Sequence, residues 1–375
     1  MDRAAPPGGK RVSGPHSAGS SEENHRWKRK NPGIRLVFRL RSNMFPHPLN
    51  PAAHSMLASM TRNHAQVAIG GTIAIDHVKT PHAEGADLLG GSAAYAALAA
   101  SFHTRPVSLI GIVGRDFPAA HLEMLEGRGI CLQGVERSPD ESFTWSGEYH
   151  ENMNERTTHR VGLNVLEGWK VKVPQSAKSA GIAVLANMSP DNQLEMLSQI
   201  EGAGGKGTFV IADTMDLWIE IANERLHQVL PQLDLLVLNE GEARELAGTS
   251  NLVRAGYTLL DKGPKHIVVK LGEFGAMLFS GGTAPHDGLF RCPAWPLDHV
   301  ADPTGAGDTF LGAMAGFLAA QGAGPYGHDV LRRAIIHGSV LASFTCEAFS
   351  TRRLESLDDG ELNERIDRFR RITEW

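Results

Sequence analysis

The second half of the chain alternates short apolar segments with helical segments, and this alternation restricts the folds that the chain can adopt. Strands and helices in regular succession favour a mainly parallel sheet with helices on both faces and right-handed crossovers. The sequence shows no repeat of fixed period, which excludes a solenoid. It therefore predicts an α/β fold. The predicted strands are residues 182–186, 208–212, 235–238 and 266–270, and the predicted helices are 117–128, 191–201, 217–230, 240–247, 331–344 and 362–372.

Length and composition agree with this fold class. The 375 residues suffice for one large α/β domain or two smaller ones, and 42% hydrophobic with 21% charged residues is typical of a soluble globular protein. The longest apolar run, residues 310–320, is too short and too rich in glycine to span a bilayer, so no membrane span is expected. The three cysteines are widely separated, which favours reduced thiols and a cytoplasmic location, and none of the 17 histidines has the spacing of a metal site.

Charge is divided unevenly along the chain. Residues 1–64 contain 11 Lys and Arg against 3 Asp and Glu, which leaves 26 against 39 for residues 65–375. The acidic body argues against nucleic-acid binding. Because residues 1–64 lack a convincing helical or strand period, we expect a disordered basic leader ahead of a folded domain at 65–375. Three explanations of this leader are open: a non-native upstream start, a genuine basic tail and a targeting peptide. We favour the non-native start.

The segment 302–308 reads Asp-Pro-Thr-Gly-Ala-Gly-Asp and continues into an apolar run. Its glycines permit positive φ and a close approach to the main chain, and the turn lies where a helix begins, so its N–H groups can bind an anion. Asp308 is a favourable charge in the first turn of any helix. Beside an anion site, the same carboxylate can instead accept a proton from an attacking hydroxyl. Spacing alone leaves both interpretations open.

This segment resembles the C-terminal signature of the ribokinase-like (PfkB) carbohydrate and nucleoside kinases. The resemblance implies that Asp308 is the catalytic base and that the amides of Gly305, Ala306 and Gly307 form an anion hole. It also implies a ribokinase-like three-layer fold, with a central mainly parallel sheet, helices on both faces and a small β-sheet lid. The P-loop sequence of other ATP-binding enzymes is absent from the chain.

Two upstream segments match the family's acceptor-binding residues. Residues 66–76 combine an apolar strand, a glycine turn and Asp76, which matches the Asp that binds sugar hydroxyls in the family; the alternative is an aspartate that caps a turn. Gly90 and Gly91 precede an alanine-rich helix and match the glycines that line the acceptor, with tight helix packing as the alternative. Many members have Asn four residues after the second glycine, where this chain has Tyr95.

Residues 143–163 are rich in β-branched and aromatic side chains around a polar turn, which predicts a β-hairpin. Together with residues 77–88, the hairpin would form the small sheet that covers the sugar in ribokinase-like kinases. That sheet often mediates dimerisation in the family, so the resemblance also implies a homodimer through the lid. Asn154, Arg156 and Arg160 are candidate ligand contacts from the lid, and the alternative is that they are solvated surface charges.

Two strand ends in the α/β half match the family's nucleotide-binding segments. Asn239 and Glu242 resemble the Asn-x-x-Glu motif, which acts near Mg²⁺ and the phosphates, largely through water. An N-cap followed by acidic residues in the first helical turn is an equally natural interpretation, and both can hold together. Lys270, Gly272 and Gly275 match a strand, glycine turn and strand that contact the nucleotide, and the alternative is a glycine hairpin without a ligand.

Taken together, the resemblance implies an ATP- and Mg²⁺-dependent kinase whose acceptor is a hydroxyl or hydroxymethyl group of a small sugar or nucleoside. It also implies a K⁺ ion beside the anion hole, bound partly by Asp302 and Thr304, although Pro303 between them could preform the turn without an ion. A catalytically silent sugar- or nucleotide-binding relative is the alternative, and the retention of Asp308 and the two glycines argues against it. The motifs do not decide which sugar or nucleoside is the acceptor.

Overall fold

The computed structural model describes residues 65–205, 207–282 and 287–374, and the predicted leader, residues 1–64, lies outside them. Within these ranges the strands are β1 (Val67–Gly70), β2 (Ala74–Lys79), β3 (Glu84–Gly90), β4 (Val107–Val113), β5 (Ile130–Arg137), β6 (Phe143–Tyr149), β7 (Arg156–Gly162), β8 (Ile182–Leu185), β9 (Phe209–Asp213), β10 (Leu235–Asn239), β11 (His266–Lys270), β12 (Ala276–Ser280) and β13 (Leu289–Cys292). The helices are α1 (Ser92–Ala100), α2 (Ala119–Gly127), α3 (Pro190–Gln199), α4 (Asp216–Ile221), α5 (Asn223–Val229), α6 (Glu240–Ala247), α7 (Leu252–Leu260), α8 (Ala306–Ala320), α9 (His328–Thr345), α10 (Arg352–Ser356) and α11 (Asp359–Thr373).

The larger sheet has the strand order β13-β12-β11-β10-β9-β8-β1-β4-β5 among the described residues. All pairs from β11 to β5 are parallel, and β12 and β13 add an antiparallel edge. Strands β1, β8 and β9 are buried along their whole length, which explains why their sequences are continuous apolar runs. The predicted mainly parallel sheet is confirmed.

Alternate residues of this sheet enter two separate hydrophobic cores, because successive side chains of a strand point to opposite faces. In β1, Val67 and Ile69 belong to one core and Ala68 belongs to the other. Helices α1, α8 and α9 cover the first core, and helices α3, α5, α6 and α7 cover the second. The predicted three-layer arrangement of helix, sheet and helix is therefore confirmed.

The smaller sheet has the order β3-β2-β6-β7 and contains the predicted hairpin as β6 and β7. The pairs β2–β3 and β6–β7 are antiparallel, whereas β2 and β6 are parallel. Asp76 lies in β2 of this sheet and not, as expected, at the end of the parallel strand β1. The chain leaves the large sheet after Gly70 and enters the small sheet at Ala74, so the lid carries this carboxylate.

The remaining predicted elements agree with the structure to within a few residues, with one clear difference. The helix predicted at 217–230 consists of two helices, α4 and α5, because Ala222 between them has φ of −132° and interrupts the helical backbone. Strands β5 and β13 and helices α7 and α10 were not predicted. In the part of the chain that the structure describes, no helix combines the length and the apolar character needed to cross a bilayer.

Candidate active site

The turn from Gly305 to Asp308 begins helix α8. Gly305 is the N-cap residue with φ of 76°, and a Cβ atom there would lie 2.4 Å from the ring of Tyr95. Within the described residues, the N–H groups of Gly305, Gly307 and Asp308 have no hydrogen-bond acceptor. The N–H of Ala306, which was expected in the anion hole, donates to the Pro303 carbonyl at 3.2 Å. The turn thus presents three unpaired N–H groups at the positive end of the helix dipole.

The ammonium group of Lys270 lies beside this turn. A Cβ atom on Gly307 would lie 2.9 Å from Lys270 Nζ. Lys270 is the last residue of β11 and Asp213 is the last residue of β9, and their Nζ and Oδ2 atoms are 3.7 Å apart. Both strands run parallel to β10 between them, so their carboxyl ends meet at one edge of the sheet, where ligands bind in open α/β folds. An anion at the turn would therefore meet a cation as well as N–H donors.

Asn239 and Glu242 form a capping box at the start of α6. The Glu242 N–H donates to Asn239 Oδ1 at 2.9 Å, and the Asn239 N–H donates to Glu242 Oε2 at 2.8 Å. Glu242 is nevertheless buried, with 8% of its surface exposed, and its second carboxylate oxygen takes no part in the cap. The capping interpretation of this motif is confirmed, and its role toward Mg²⁺ stays a prediction.

Three carboxyl groups surround Lys270, and their charges act on one another. Burial raises the pKa of Asp308, and the positive charges of Lys270 and Arg156 oppose that rise. Burial also raises the pKa of Asp213 well above its usual range, reinforced by Asp308 and Glu242 and opposed by Lys270. Burial alone would lower the pKa of Lys270, but Asp213, Glu242 and Asp308 together raise it. The lysine therefore stays charged and partly compensates its acidic neighbours.

Asp76 lies in β2, close enough to Asp302 and Asp308 of the signature segment for their charges to act on it. Only 5% of its surface is exposed, and a Cβ atom on Gly90 would lie 2.0 Å from its Oδ2 atom, so only glycine leaves room for this carboxyl group. Gly91 has φ of 90° and is the N-cap residue of α1. Burial raises the pKa of Asp76 to about 8, and the charges of Asp302 and Asp308 add to the rise.

Asp302 is fully buried and holds the signature segment together. Its Oδ1 accepts a hydrogen bond from the Thr304 N–H at 2.9 Å, and its Oδ2 accepts one from the Ser350 N–H at 3.1 Å. The ring of Tyr95, which is buried, packs against Gly305. The described residues contain no cluster of three or more His, Cys, Asp or Glu side chains suited to a metal ion. The K⁺ site at Asp302 and Thr304 stays a prediction.

The small sheet contacts the signature segment directly. The Thr304 hydroxyl donates to the Tyr149 hydroxyl at 3.3 Å, and burial raises the pKa of Tyr149 to about 12. Arg156, the first residue of β7, is close enough for its charge to lower the pKa of Asp308 and of Glu242. Of the predicted lid residues, Arg156 thus lies near the site.

The tip of the lid contacts the turn between β11 and β12. Asn154 Nδ2 donates to Glu273 Oε1 at 3.3 Å, and a Cβ atom on Gly272 would lie 3.2 Å from Asn154 Oδ1. Gly275 has φ of 92° and packs against the Cys292 carbonyl, which accounts for this glycine without a ligand. Arg160 is exposed and forms no ion pair among the described residues, and its role as a ligand contact stays a prediction.

Comparison with known proteins identifies the family of this chain. The family model described as pfkB family carbohydrate kinase matches residues 76–357. The chain belongs to the pfkB family of carbohydrate kinases. It is therefore a phosphotransferase with an alcohol group as acceptor. Among curated relatives, a cytidine kinase of Thermococcus kodakarensis is 28% identical over 260 residues, which cover 68% of this chain and 87% of the relative.

Solved structures of ribokinases share the fold. A protein assigned as ribokinase II from E. coli, in complex with ATP and Mg²⁺, has a TM-score of 0.66 and 20% identity, and the match covers 81% of this chain and 99% of that one. Arabidopsis thaliana ribokinase, complexed with ribose and ATP, has a TM-score of 0.64 and 20% identity, with coverage of 80% and 98%. The ribokinase-like fold predicted from the sequence is confirmed.

Sequence reasoning missed three residues that this pfkB chain brings to the site: Asp213, Tyr149 and Ser350. Asp213 carried a usable signal, because it directly ends the buried apolar strand β9, as Asn239 ends β10. Tyr149 and Ser350 had no such signal, since their contacts with Thr304 and Asp302 join segments far apart in the chain.

Proposed function

We propose that this chain transfers the γ-phosphoryl group of ATP to a hydroxyl group of a small sugar or nucleoside. The observation that supports this most strongly is the turn at Gly305–Asp308, where three unpaired N–H groups, the Lys270 ammonium and a carboxyl group converge. The names of the relatives agree with this range of acceptors, since they include a cytidine kinase and a ribokinase.

In the proposed reaction, Asp308 accepts the proton of the acceptor hydroxyl. The acceptor oxygen forms a bond to the γ-phosphorus, the bond from that phosphorus to the β–γ bridging oxygen breaks, and ADP leaves with the electron pair. The N–H groups of Gly305, Gly307 and Asp308 stabilise the charge that develops on the transferred group. Such a transfer depends mostly on positioning and electrostatics. The raised pKa of Asp308 makes this carboxylate a stronger base than an exposed aspartate.

The residues assigned to ATP and Mg²⁺ have suitable chemistry. Lys270 supplies positive charge beside the turn, and the glycine turn at Gly272 that follows it is the proposed contact for the nucleotide. Glu242 Oε1 is outside the capping box, so it can accept a hydrogen bond from the hydration shell of Mg²⁺, which retains much of its water when it binds to proteins. When bound, ATP supplies the phosphoryl group and Mg²⁺ offsets the triphosphate charge. The ATP and Mg²⁺ complex of a structural relative supports this assignment.

Asp76 is the proposed contact for the acceptor hydroxyls. With a pKa of about 8, its carboxyl group is largely protonated near neutral pH and can both donate and accept a hydrogen bond. Gly90 and Gly91 bring the main chain close to the same space. We propose that these three residues bind the acceptor on the side of Asp308 that faces the small sheet.

K⁺ stimulation through Asp302 and Thr304 is a separate proposal. Rates in potassium and in tetramethylammonium buffers at equal ionic strength test it, and the expected result is a higher rate in potassium. Indistinguishable rates would favour the alternative that the hydrogen bonds of Asp302 hold the turn without an ion. A homodimer through the small sheet also stays a prediction, which sedimentation of the purified protein tests.

The decisive experiment screens the purified protein with MgATP against a panel of sugars and nucleosides, recording ADP release and identifying the phosphorylated product. The expected result is product formation with at least one acceptor and none with Asp308→Asn at the same acceptor concentration. Nucleotide binding without phosphorylation of any acceptor would favour the catalytically silent alternative. Failure to bind either ATP or ADP would overturn the proposed function.

A further inference from the structure

Asp213 is a buried carboxyl group that the assignments above leave without a role. It is 5% exposed, and its Oδ1 atom is buried without a hydrogen-bond partner among the described residues. Its Oδ2 atom faces Lys270 Nζ at 3.7 Å. Unpaired buried polar atoms destabilise a fold, so stability does not explain why a carboxyl group occupies this position.

The residue that faces this carboxyl group is Lys270. The lysine side chain is flexible and 20% exposed, yet its Nζ atom is held within reach of the Gly307 main chain. At 3.7 Å the contact with Asp213 is an ion pair rather than a close hydrogen bond. An ammonium group has three donors, and this arrangement leaves them available to an anion at the turn.

We propose that Lys270 is a catalytic residue that contacts the transferring phosphoryl group beside the Gly307 N–H, and that Asp213 is a positioning residue that holds the Lys270 ammonium there. This inference rests on the proposed function and assigns the γ-phosphate to the space between Lys270 and Gly307. A lysine at this point compensates the charge that develops during transfer, in addition to the N–H groups of the turn. Asp213 acts only through Lys270.

Nucleotide binding tests the inference without requiring an acceptor. Calorimetric titration with MgAMP-PNP and with MgADP gives the preference of each variant for the triphosphate. Lys270→Met is expected to reduce that preference on the order of 10-fold, Lys270→Arg to retain part of it, and Asp213→Asn to reduce it by less than Lys270→Met. The matched control is Lys265→Met, because Lys265 forms an ion pair with Asp234 at the opposite end of β11 and is expected to leave the preference unchanged.

Kinetics with the acceptor found in the screen test the positioning role. Lys270→Met is expected to lower kcat on the order of 10²- to 10³-fold. The double variant Asp213→Asn/Lys270→Met is expected to match Lys270→Met within about 2-fold, because a residue that acts through another has no effect once its partner is removed. Additive losses would overturn the positioning role of Asp213.

The pH profile supplies a readout that a merely structural role would not move. Lys270 lowers the pKa of Asp308, alongside Arg156, and the negative charge of Asp308 raises the pKa of Asp213. Lys270→Met is therefore expected to move the acidic limb of kcat/KM to higher pH. Unchanged triphosphate preference and unchanged kcat in a folded Lys270→Met protein would overturn the inference, and Lys270→Gln carries the same test if the Met variant does not fold. Wild-type protein that binds neither nucleotide would instead count against the proposed function.

Discussion

The two sides of Asp308 differ in how their charge is compensated. On the side that we propose binds the phosphates, Asp213 and Glu242 lie near Lys270, whose ammonium remains charged among them. On the proposed acceptor side, the charges of Asp302 and Asp308 add to the effect of burial and raise the pKa of Asp76. Among these described side chains, the partly buried cation, Lys270, lies only on the proposed phosphate side, and burial with the charges of Asp302 and Asp308 raises the pKa of Asp76 to about 8.

This difference indicates which ligand groups each side can accept. A lysine and three unpaired N–H groups favour an anion such as a phosphate on one side. A buried, largely protonated carboxyl group favours neutral hydroxyls on the other, because an anionic group beside Asp76 would add to the repulsion already present. We therefore expect the part of the acceptor that contacts Asp76 to be uncharged.

The largest expected effect comes from the residue that both sides share. Asp308→Asn removes the proposed base but few contacts with the bound ligands, so kcat is expected to fall by roughly 10²- to 10⁴-fold. Calorimetry should find the affinity for MgAMP-PNP nearly unchanged. Steady-state kinetics measures the first effect, and near wild-type turnover would rule out the assignment of Asp308 as the base.

Substitutions at the two glycines of the turn should separate fold from function. Gly305→Ala places a Cβ atom 2.4 Å from the Tyr95 ring at a residue with φ of 76°, and is expected to lower the free energy of unfolding by roughly 2–4 kcal/mol. In Gly307→Ala the new Cβ meets only the flexible end of Lys270, at 2.9 Å from Nζ.

Gly307→Ala is therefore expected to change the free energy of unfolding by less than about 1 kcal/mol, because alanine is also the better helix former. Its expected effect is a weaker affinity for MgAMP-PNP, since the ammonium must move aside. Urea unfolding and calorimetric titration measure the two quantities. Equal destabilisation by both substitutions would show that the two glycines serve packing alike.

The sequence predicted the scaffold better than the groups that complete the site. Apolar runs such as those of β9 and β10 identify buried parallel strands, and the glycines with Asp308 identify the turn, because both signals are local. The position of a residue in the fold depends on distant parts of the chain, which a local pattern does not show. Asp76 lies in the small sheet, and Asp213 meets Lys270 only because two strands end at the same edge of the large sheet. The pairing of Ala306 with Pro303 likewise depends on the exact course of the turn, which spacing does not determine.

Asp76→Asn tests the acceptor side through stability. The pKa of Asp76 is about 8 in the folded protein against 3.8 for an ordinary aspartate, so the folded state binds more protons and loses stability as pH rises through this window. Asparagine cannot ionise and avoids the loss. The free energy of unfolding of the variant, relative to that of the wild type, should increase by roughly 3–4 kcal/mol from pH 5 to pH 8. Urea unfolding at both pH values measures this, and an equal difference at the two would contradict it.

The smallest expected effect comes from the contact between the lid and the signature segment. Tyr149→Phe removes the hydroxyl group to which the Thr304 hydroxyl donates a hydrogen bond. Such a bond contributes about 1 kcal/mol to the free energy of unfolding. The KM for the sugar or nucleoside is expected to rise a few-fold while the affinity for MgAMP-PNP stays unchanged, because Tyr149 belongs to the same small sheet as Asp76, the proposed contact for the sugar or nucleoside. Tyr326→Phe is the matched control, since that hydroxyl donates to the Gly322 carbonyl away from either side. A comparable loss of nucleotide affinity in Tyr149→Phe would show that the two sides of Asp308 are coupled through the lid and do not bind their ligands independently.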